Sequence, residues 1–293
     1  MRGKENFKII KFTDKDYPFL LKETVLPPQL LYVRGSIEPR DKNAVAIVGA
    51  RIATSEGLKN AYELAFQLAG AGVTIVSGLA QGIDTEAHKG ALDAGGRTIA
   101  VLGTGVDVIY PTSNIKLAKR ILDEDCGVII SEFSPGTPAL PHHFPQRNRI
   151  ISGLSLGTVV VEAREKSGAL ITANFALEQN RDVFAVPGPI GRPTSYGPNR
   201  LIKEGAKIVT DARDIMEELG FKIVTSDKQQ VTGRFDNLAE DELKIATILA
   251  NEPKTAEELI QENKITASQM NILISMLEIK GIIRKVGGKY TVK

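Results

Sequence analysis

The sequence predicts an α/β protein in which a doubly wound parallel sheet is followed by a small winged-helix domain. From Ala44 onward, short apolar runs alternate with stretches of helical period, which is the pattern of parallel strands covered by helices on both faces. From Leu238 onward the pattern changes to short amphipathic helices followed by two strands around Gly287-Gly288. Helices followed by a hairpin in this order are typical of a winged helix.

The strands predicted for the larger domain are short and apolar on both faces, as buried parallel strands are. They are predicted at Ala44–Val48, Val73–Val76, Thr98–Leu102, Gly127–Ile130, Thr158–Val161, Val183–Val186 and Lys207–Val209. Helical patterns lie between most of them, for example at Gly57–Leu68, Thr85–Ala94, Ile115–Leu122 and Ala169–Gln179, and a last helix is predicted at Asp211–Leu219.

The composition divides the chain into four segments. Residues 1–43 are expected to pack on the main domain and to contain a short strand at Leu30–Gly35, while residues 44–220 form the α/β domain itself. The polar residues 221–237 are predicted to be a linker, and residues 238–293 form the winged-helix domain. The predicted recognition helix of that domain, Ala267–Ile279, contains no Lys or Arg. The sequence therefore favours a protein contact or weak backbone binding over the recognition of duplex DNA.

The overall composition narrows the possible environment and partners. The formal net charge of the 293 residues is only +2, so affinity for nucleic acid would require a local basic patch. A single cysteine, Cys126, excludes an intramolecular disulfide and fits a reducing compartment. The chain shows no apolar signal region and no apolar run of about 18 residues, so we expect no membrane span and a cytoplasmic location.

Two glycine-containing turns follow the first two predicted strands of the larger domain. They are Gly49-Ala50-Arg51 and the segment Ser77–Asp84, and both would lie at the carboxyl edge of the sheet, where ligands bind. Glycines and free helix N–H groups suit an anion, and the Ser77 hydroxyl and the Arg51 fork would add donors. The alternative is that these glycines only make tight turns. Asp84 is expected to cap the next helix.

A proline-started segment, Pro141–Gly153, combines basic, polar and aromatic side chains. Arg147, Asn148 and Arg149 precede a helical run, and Phe144 stands just before them. Arginine forks bind phosphates, and a phenyl ring offers a stacking face to an unpaired base. The alternative is that the arginines pair with acids and Phe144 fills the core.

Further polar residues lie near this segment. Glu132 and Glu162 are the acids that the alternative would use as arginine partners. His142 and His143 are expected to be surface or hydrogen-bonded residues rather than ligands. Lys166 and Ser167 follow the Thr158–Val161 strand, where they add a phosphate contact or lie in a solvated loop.

Motifs for cofactors, metals and catalysis are missing from the sequence. Gly103-Thr104-Gly105 comes nearest to a dinucleotide fingerprint, but Val108 stands at the position of the third glycine, and there is no Walker motif. One Cys and three His offer no metal-ligand spacing, and Ile151-Ser152-Gly153 is not a nucleophile elbow. We therefore predict no cofactor, no metal and no enzyme activity.

Several blocks of the sequence resemble the DNA-processing protein A family, also called DprA or Smf. The blocks are Gly49–Arg51, Ser77–Asp84, Leu102–Pro111, Ser131–Phe133, Phe144–Ser155, Ser167–Ala173 and Phe184–Gly188. They follow the family's order between about Tyr17 and Leu219. Blocks that recur independently in one order are more specific than any single motif.

The resemblance implies an extended Rossmann-like domain with a mostly parallel sheet, which binds single-stranded DNA and forms a homodimer. It also implies protection of incoming DNA and help in loading the RecA recombinase during natural transformation. The residues that match the family's DNA-binding positions are Arg51, Ser77, Gly78, Phe144, Arg147, Asn148 and Arg149. Some relatives carry a lysine just ahead of the phenylalanine, where this chain has Pro141-His142-His143. That contact is expected to be weaker here, or sensitive to pH.

Two other functions remain as alternatives to a non-enzymatic mediator of recombination. The first is a nucleotide hydrolase of the lonely-guy type, whose PGGxGTxxE motif is matched only by Gly157-Thr158, with Glu162 one residue too late. The second is a transcriptional regulator whose winged helix recognises duplex DNA, which would require a basic recognition helix.

Overall fold

The computed structural model describes residues 7–123, 126–221, 238, 240–251, 254–263, 265–286 and 288–292. The chain forms two compact units, Met1–Ile223 and Val224–Lys293. Each unit buries an apolar cluster of its own.

The first unit is built on a nine-stranded sheet with the order β1-β2-β6-β5-β4-β3-β7-β8-β9. The strands are β1 (Lys8–Lys11), β2 (Leu30–Gly35), β3 (Ala44–Val48), β4 (Thr74–Ser77), β5 (Thr98–Val101), β6 (Gly127–Ser131), β7 (Gly157–Val160), β8 (Asp182–Ala185) and β9 (Lys207–Ile208). Strands β3 to β9 pair in parallel, whereas β1 and β2 join the β6 side antiparallel. The mostly parallel, doubly wound sheet is confirmed, and the first residues of the described chain extend it with two antiparallel strands.

Helices cover both faces of this sheet. They are α1 (Phe19–Lys22), α2 (Ser55–Gly70), α3 (Ile83–Asp93), α4 (Ile115–Asp123), α5 (His143–Gly153), α6 (Gly168–Glu178), α7 (Tyr196–Lys203) and α8 (Ala212–Glu218). Along β3, Ala46 and Val48 enter one apolar cluster while Val45 and Ile47 enter another, because successive side chains of a strand point to opposite faces. This two-sided burial is why the strand sequences are apolar throughout rather than alternating.

The predicted start of helix α5 was wrong. Arg147 and Arg149 were expected to precede the helix, but they lie inside it, because α5 already begins at His143. Pro145 does not prevent this, since a proline in the first turn lacks only an N–H that would have no partner within the helix. Both arginines are therefore held on a rigid element.

The strand order places a topological switch point at the centre of the sheet. From β3 the chain builds β4, β5 and β6 on one side and then crosses back to β7, which pairs with β3 on the other side. In open α/β sheets of this kind, ligands bind in the crevice outside the carboxyl ends of the strands. The segments that follow β3, β4, β5 and β7 are therefore where a site is expected.

The second unit consists of α9 (Glu240–Asn251), α10 (Ala256–Asn263), α11 (Ala267–Ile279) and the antiparallel pair β10 (Ile283–Val286) and β11 (Lys289–Val292). Thr266 caps α11 in a capping box with Gln269. This order of elements is the one that the winged-helix prediction requires, and the winged-helix assignment itself stays a prediction. The predicted linker, from residue 222 onward, lies outside the described residues. Across the residues that the structure does describe, no helix is both long and apolar enough to span a membrane.

Candidate nucleic-acid interface

Arg147 lies beneath the carboxyl edge of the sheet rather than on it. Its side chain projects from α5 and is buried, with 4% of the residue exposed. The guanidinium donates to the carbonyl oxygen of Gly78 at 2.7 Å and to that of Val101. A Cβ atom on Gly78 would stand 2.5 Å from this guanidinium, so a larger residue at position 78 would displace the guanidinium from these carbonyl oxygens. The buried Arg147 side chain therefore links the carboxyl ends of β4 and β5 through hydrogen bonds.

The first two N–H groups of the turn after β4 have acceptors within the chain. The Gly78 N–H donates to Asp84 Oδ2 at 3.0 Å, and the Leu79 N–H donates to His88 Nε2 at 3.3 Å. Ser77 is fully buried, and its hydroxyl donates to the carbonyl oxygen of Ile47 at 2.7 Å. The anion cradle that the sequence predicted at Ser77 and Gly78 is therefore closed from within by a carboxylate and an imidazole.

Asp84 does not cap helix α3 as the sequence predicted. The N-cap residue is Gly82, with a φ of 77°, and Asp84 lies in the first turn with its carboxylate turned back toward Gly78. A Cβ atom on Gly82 would stand 2.3 Å from the carbonyl oxygen of Ala50, so only glycine fits where this turn meets the end of β3. The carboxylate thus fixes the turn that precedes the helix.

Burial sets the protonation of this internal cluster. It raises the pKa of Asp84, an effect that the charge of Arg147 opposes, and it lowers the pKa of Arg147 to about 10. Burial also lowers the pKa of His88 to about 3, which keeps the ring neutral. Because His88 Nε2 accepts from Leu79, the proton lies on Nδ1, which donates to the Thr98 hydroxyl at 2.6 Å. The cluster therefore combines a neutral histidine with a buried arginine that faces a buried carboxyl group.

A second carboxylate closes the N-terminus of helix α2 at the switch point. Glu162, just beyond β7, accepts from the Thr54 N–H at 2.9 Å and from the Thr54 hydroxyl at 2.6 Å. A Cβ atom on Gly57 would stand 2.5 Å from the carboxylate carbon. Proteins of this fold commonly hold a nucleotide phosphate at such a helix start. Here that position contains the chain's own carboxylate.

Arg149 has an acidic partner, as one of the two sequence alternatives proposed. Its guanidinium forms an ion pair with Glu132, and both side chains are mostly buried. Burial raises the pKa of Glu132, and the nearby charge of Arg149 opposes that rise. The same alternative named Glu162 as a further acid that the two arginines could use, but Glu162 accepts from Thr54, and Arg147 donates to carbonyl oxygens instead.

Asn148 and Ser167 stabilise the turn that leads into α6. Asn148 Nδ2 donates to the carbonyl oxygen of Gly168 at 3.1 Å, and Asn148 Oδ1 accepts from Arg147 Nε at 3.3 Å. Ser167 is the N-cap residue of α6 and accepts from the Ala169 N–H at 3.3 Å. Lys166, one residue earlier, is exposed.

The accessible part of the edge is basic and aromatic. Arg51 is exposed, and its guanidinium carbon lies 5.3 Å from the centroid of the Phe144 ring. The Phe144 ring in turn lies 5.6 Å from the ring of Tyr110, which is 46% exposed. In the part of the chain that the structure describes, neither Arg51 nor Lys166 forms an ion pair with an acid. These side chains combine free positive charge with a stacking surface.

The two histidines before Phe144 differ in their surroundings. His143 is buried and its ring stacks on Phe133, with centroids 3.9 Å apart. His142 is exposed and meets His143 edge-on at 4.5 Å. His142 is thus the surface residue that the sequence predicted, whereas His143 packs against an aromatic ring.

Two residues of the edge were missed by the sequence analysis. Tyr110 belongs to the loop after β5, and its aromatic side chain in a carboxyl-edge loop was the signal that could have identified it. Asn114 Nδ2 donates to the carbonyl oxygen of Leu79 at 2.9 Å and to the Thr85 hydroxyl at 2.8 Å, and so holds the outer side of the β4 turn. Asn114 is buried, but no local sequence pattern distinguishes it from an asparagine on the surface.

Fold and site together define a doubly wound α/β protein with basic and aromatic side chains at the carboxyl edge of its sheet. Residues 8–220 match the family of DNA recombination-mediator protein A. Protein Smf of Escherichia coli is 46% identical over 216 residues, which are 74% of this chain and 58% of that protein. DNA processing protein DprA of Streptococcus pneumoniae is 44% identical over 217 residues, 74% of this chain and 76% of that protein. The chain belongs to the DNA recombination-mediator protein A family.

Solved structures agree with this assignment. The X-ray structure of DNA processing protein A from Streptococcus pneumoniae superposes with a TM-score of 0.69 at 44% identity, covering 73% of this chain and 75% of that one. DNA processing protein A from Helicobacter pylori, whose structure describes a single-stranded DNA binding mode, gives a TM-score of 0.66 at 29% identity, covering 75% and 98%. The family resemblance found in the sequence is confirmed.

Proposed function

We propose that this protein binds single-stranded DNA, without strong sequence preference, at the carboxyl edge of its sheet and acts there as a recombination mediator. The observation that carries the proposal is the exposed Arg51 guanidinium over the Phe144 ring, at 5.3 Å. A guanidinium fork suits a backbone phosphate and an aromatic ring suits an unpaired base. The binding mode described for the Helicobacter pylori relative supports the same class of ligand.

Within this proposal the nine sequence-predicted site residues divide into two groups, according to whether they are hydrogen-bonded or ion-paired within the protein. Arg51, Phe144 and Lys166 reach the solvent, so we assign them to direct contact with DNA. The other residues shape the edge from beneath or are paired within the protein: Ser77, Gly78, Arg147, Asn148, Arg149 and Ser167. This division predicts that substitutions in the second group act on the fold first and on DNA binding as a consequence.

The wider role rests on family membership alone. Protection of incoming DNA, help in loading RecA during natural transformation, assembly as a homodimer and a cytoplasmic location are proposals for this chain. The chain spans 58% of the length of Escherichia coli Smf, so functions of the whole relative are not assigned to it.

The two alternative functions are less well supported. A nucleotide hydrolase of the lonely-guy type would need a free acid at Glu162, whose two carboxylate oxygens accept from Thr54. A winged-helix regulator would need a basic recognition helix, and α11 instead exposes Ile272 and Met276. We therefore propose that the protein is not an enzyme and that its second unit does not recognise duplex sequence.

The test is a titration of a labelled single-stranded oligonucleotide at low salt. Loss of a charged phosphate contact in Arg51→Ala should weaken binding by about 1.5–3 kcal/mol and should do so for every sequence alike. Arg40→Ala is the matched control, because Arg40 is exposed, carries the same charge and lies just before the amino end of β3. A wild type that binds no single-stranded DNA, or an equal loss in the two variants, would contradict the proposal.

A further inference from the structure

Tyr110 and Phe144 form one continuous aromatic surface, here called the ring pair. Their centroids are 5.6 Å apart and the ring planes are tilted by 40°. Tyr110 comes from the loop after β5, whereas Phe144 comes from the first turn of α5. Two elements that are distant in the chain thus bring two rings together beside Arg51.

The loop after β5 holds both rings of the ring pair in place. A Cβ atom on Gly103 would lie 2.9 Å from the Phe144 ring, so that ring packs directly against the backbone after β5. The Thr104 hydroxyl donates to the carbonyl oxygen of Val108 at 2.6 Å, which closes the loop two residues before Tyr110. A surface that is already ordered costs less conformational entropy when a ligand binds.

Tyr110 is the more open member of the ring pair. The Phe144 ring already contacts the Gly103 backbone and lies beneath the Arg51 guanidinium, and its exposure is intermediate. Tyr110 remains 46% exposed. Tyr110 therefore offers an open ring face beside Phe144, and Phe144 carries the Arg51 guanidinium. Aromatic faces combined with basic side chains are what proteins use to bind an unpaired base and its phosphate.

We infer that Tyr110 stacks on an unpaired base next to the phosphate held by Arg51, so that the ring pair is a base subsite of the bound strand. The inference rests on the proposed function. A ring face without a positioned donor or acceptor recognises the π surface of any base, so the subsite contributes affinity without sequence preference.

The first experiment compares a normal single-stranded oligonucleotide with one of the same length in which abasic residues replace the bases. Tyr110→Ala should lower affinity for the normal strand by about fivefold or more, the effect of losing one base–aromatic stack. Tyr110→Phe keeps the ring and should bind like the wild type. On the abasic strand the wild type and Tyr110→Ala should bind equally, because phosphate contacts alone remain.

A matched control comes from a second tyrosine–phenylalanine pair. Tyr62 and Phe66 lie on α2 with ring centroids 6.1 Å apart, away from the loops of the carboxyl edge. Tyr62→Ala should leave affinity for both strands unchanged. An equal loss on the normal and abasic strands for Tyr110→Ala would overturn the inference, since it would show a structural rather than a stacking role.

A second experiment uses the absence of tryptophan from the sequence. Tyr110→Trp introduces a single indole whose fluorescence should be quenched by the normal strand and much less by the abasic strand. The indole of Tyr62→Trp should respond to neither. An indole at position 110 that stays unquenched while Arg51→Ala still lowers affinity would overturn the inference and leave the proposed function standing. Absence of binding by the wild type would instead remove the proposed function itself.

Discussion

The guanidinium of Arg147 holds the ends of two neighbouring strands together through the carbonyl oxygens of Gly78 and Val101. It is one of the few buried arginines of the described chain, and its charge faces the buried carboxylate of Asp84. Such a residue stabilises a turn by satisfying acceptors that water cannot reach. Its role at the interface is therefore positional.

Removing the Arg147 side chain should destabilise the fold. Arg147→Ala leaves the two buried carbonyl oxygens without their donor and removes the positive charge that faces the Asp84 carboxyl, which should lower the free energy of unfolding by about 3 kcal/mol or more. Urea denaturation measures this change. The exposed Arg164 supplies the control, and Arg164→Ala should stay within about 0.5 kcal/mol of the wild type. Equal stability of wild type and Arg147→Ala would contradict the structural role.

His88 should make stability depend on pH. Burial lowers its pKa from 6.5 to about 3, so between these values the unfolded chain binds a proton that the folded protein refuses. Its contribution is therefore complete above about pH 6.5 and is lost as the pH falls, with a slope of at most about 1.4 kcal/mol per pH unit. Between pH 6.5 and 5 the wild type should lose about 1–2 kcal/mol more than His88→Gln.

The comparison with His88→Gln is needed because two carboxyls act in the opposite direction. Burial raises the pKa values of Asp84 and Glu132, so the folded protein holds their protons more strongly and their contributions increase as the pH falls. Subtracting the two denaturation profiles removes this shared background. Parallel profiles for wild type and His88→Gln would show that His88 does not titrate as inferred.

At the scale of the elements, the N-terminus of helix α2 is occupied by a carboxylate of the protein itself, that of Glu162. Glu162 accepts from the backbone and the hydroxyl of Thr54, the N-cap residue, and so stands where a bound phosphate would interact with the helix dipole. The turn after β4 is closed in the same way by Asp84. With both backbone sites occupied, the edge is left with exposed side chains as its contacts for an anionic ligand.

A small carboxylate should restore what Glu162→Ala removes. The variant leaves the Thr54 N–H without its acceptor, which should lower the free energy of unfolding by about 1–3 kcal/mol. Formate or acetate can occupy the vacated space, so the melting temperature of the variant should rise with acetate concentration more than that of the wild type. Glu165→Ala, at an exposed position, should show no such rescue. Identical acetate responses in all three proteins would argue against an internal anion site.

At the scale of the whole molecule, the balance of charge limits how much of the surface can bind DNA. A net charge of +2 means that positive potential has to be local. Exposed ion pairs of the first unit, such as Lys59 with Glu63 and Arg200 with Glu204, neutralise other parts of its surface. We expect a short interface with few phosphate contacts.

The salt dependence of binding measures the number of those contacts. For single-stranded DNA the logarithm of the affinity should fall with the logarithm of salt concentration, with a slope of about −0.7 per neutralised phosphate. Arg51→Ala should reduce the steepness by about one such step, and Arg51→Ala combined with Lys166→Ala by about two. Arg40→Ala should leave the slope unchanged. A steep slope that none of these substitutions alters would place the interface elsewhere.

The sequence by itself determined the fold class, the positions of most strands along the chain and the family. These follow from local properties: apolar runs such as Ala44–Val48 are long enough for a strand and lack a polar face, and helical periods separate them. The predicted strand at Ala44–Val48 matches β3 at both ends, and the others match within one or two residues. Prediction and structure agree because a strand that is buried on both faces has to be apolar at every position, and this makes it recognisable in the sequence.

Only the tertiary structure decided which side chains of the edge are free. Arg147 and Gly78 are separated by 69 residues in the chain, and Thr54 and Glu162 by 108, so no local pattern shows that each pair satisfies itself. Burial and hydrogen-bond partners are properties of the assembled sheet edge, where strands from distant parts of the sequence end side by side. That assembly turns Ser77, Gly78 and Arg147 inward and leaves Arg51, Tyr110 and Lys166 in contact with solvent.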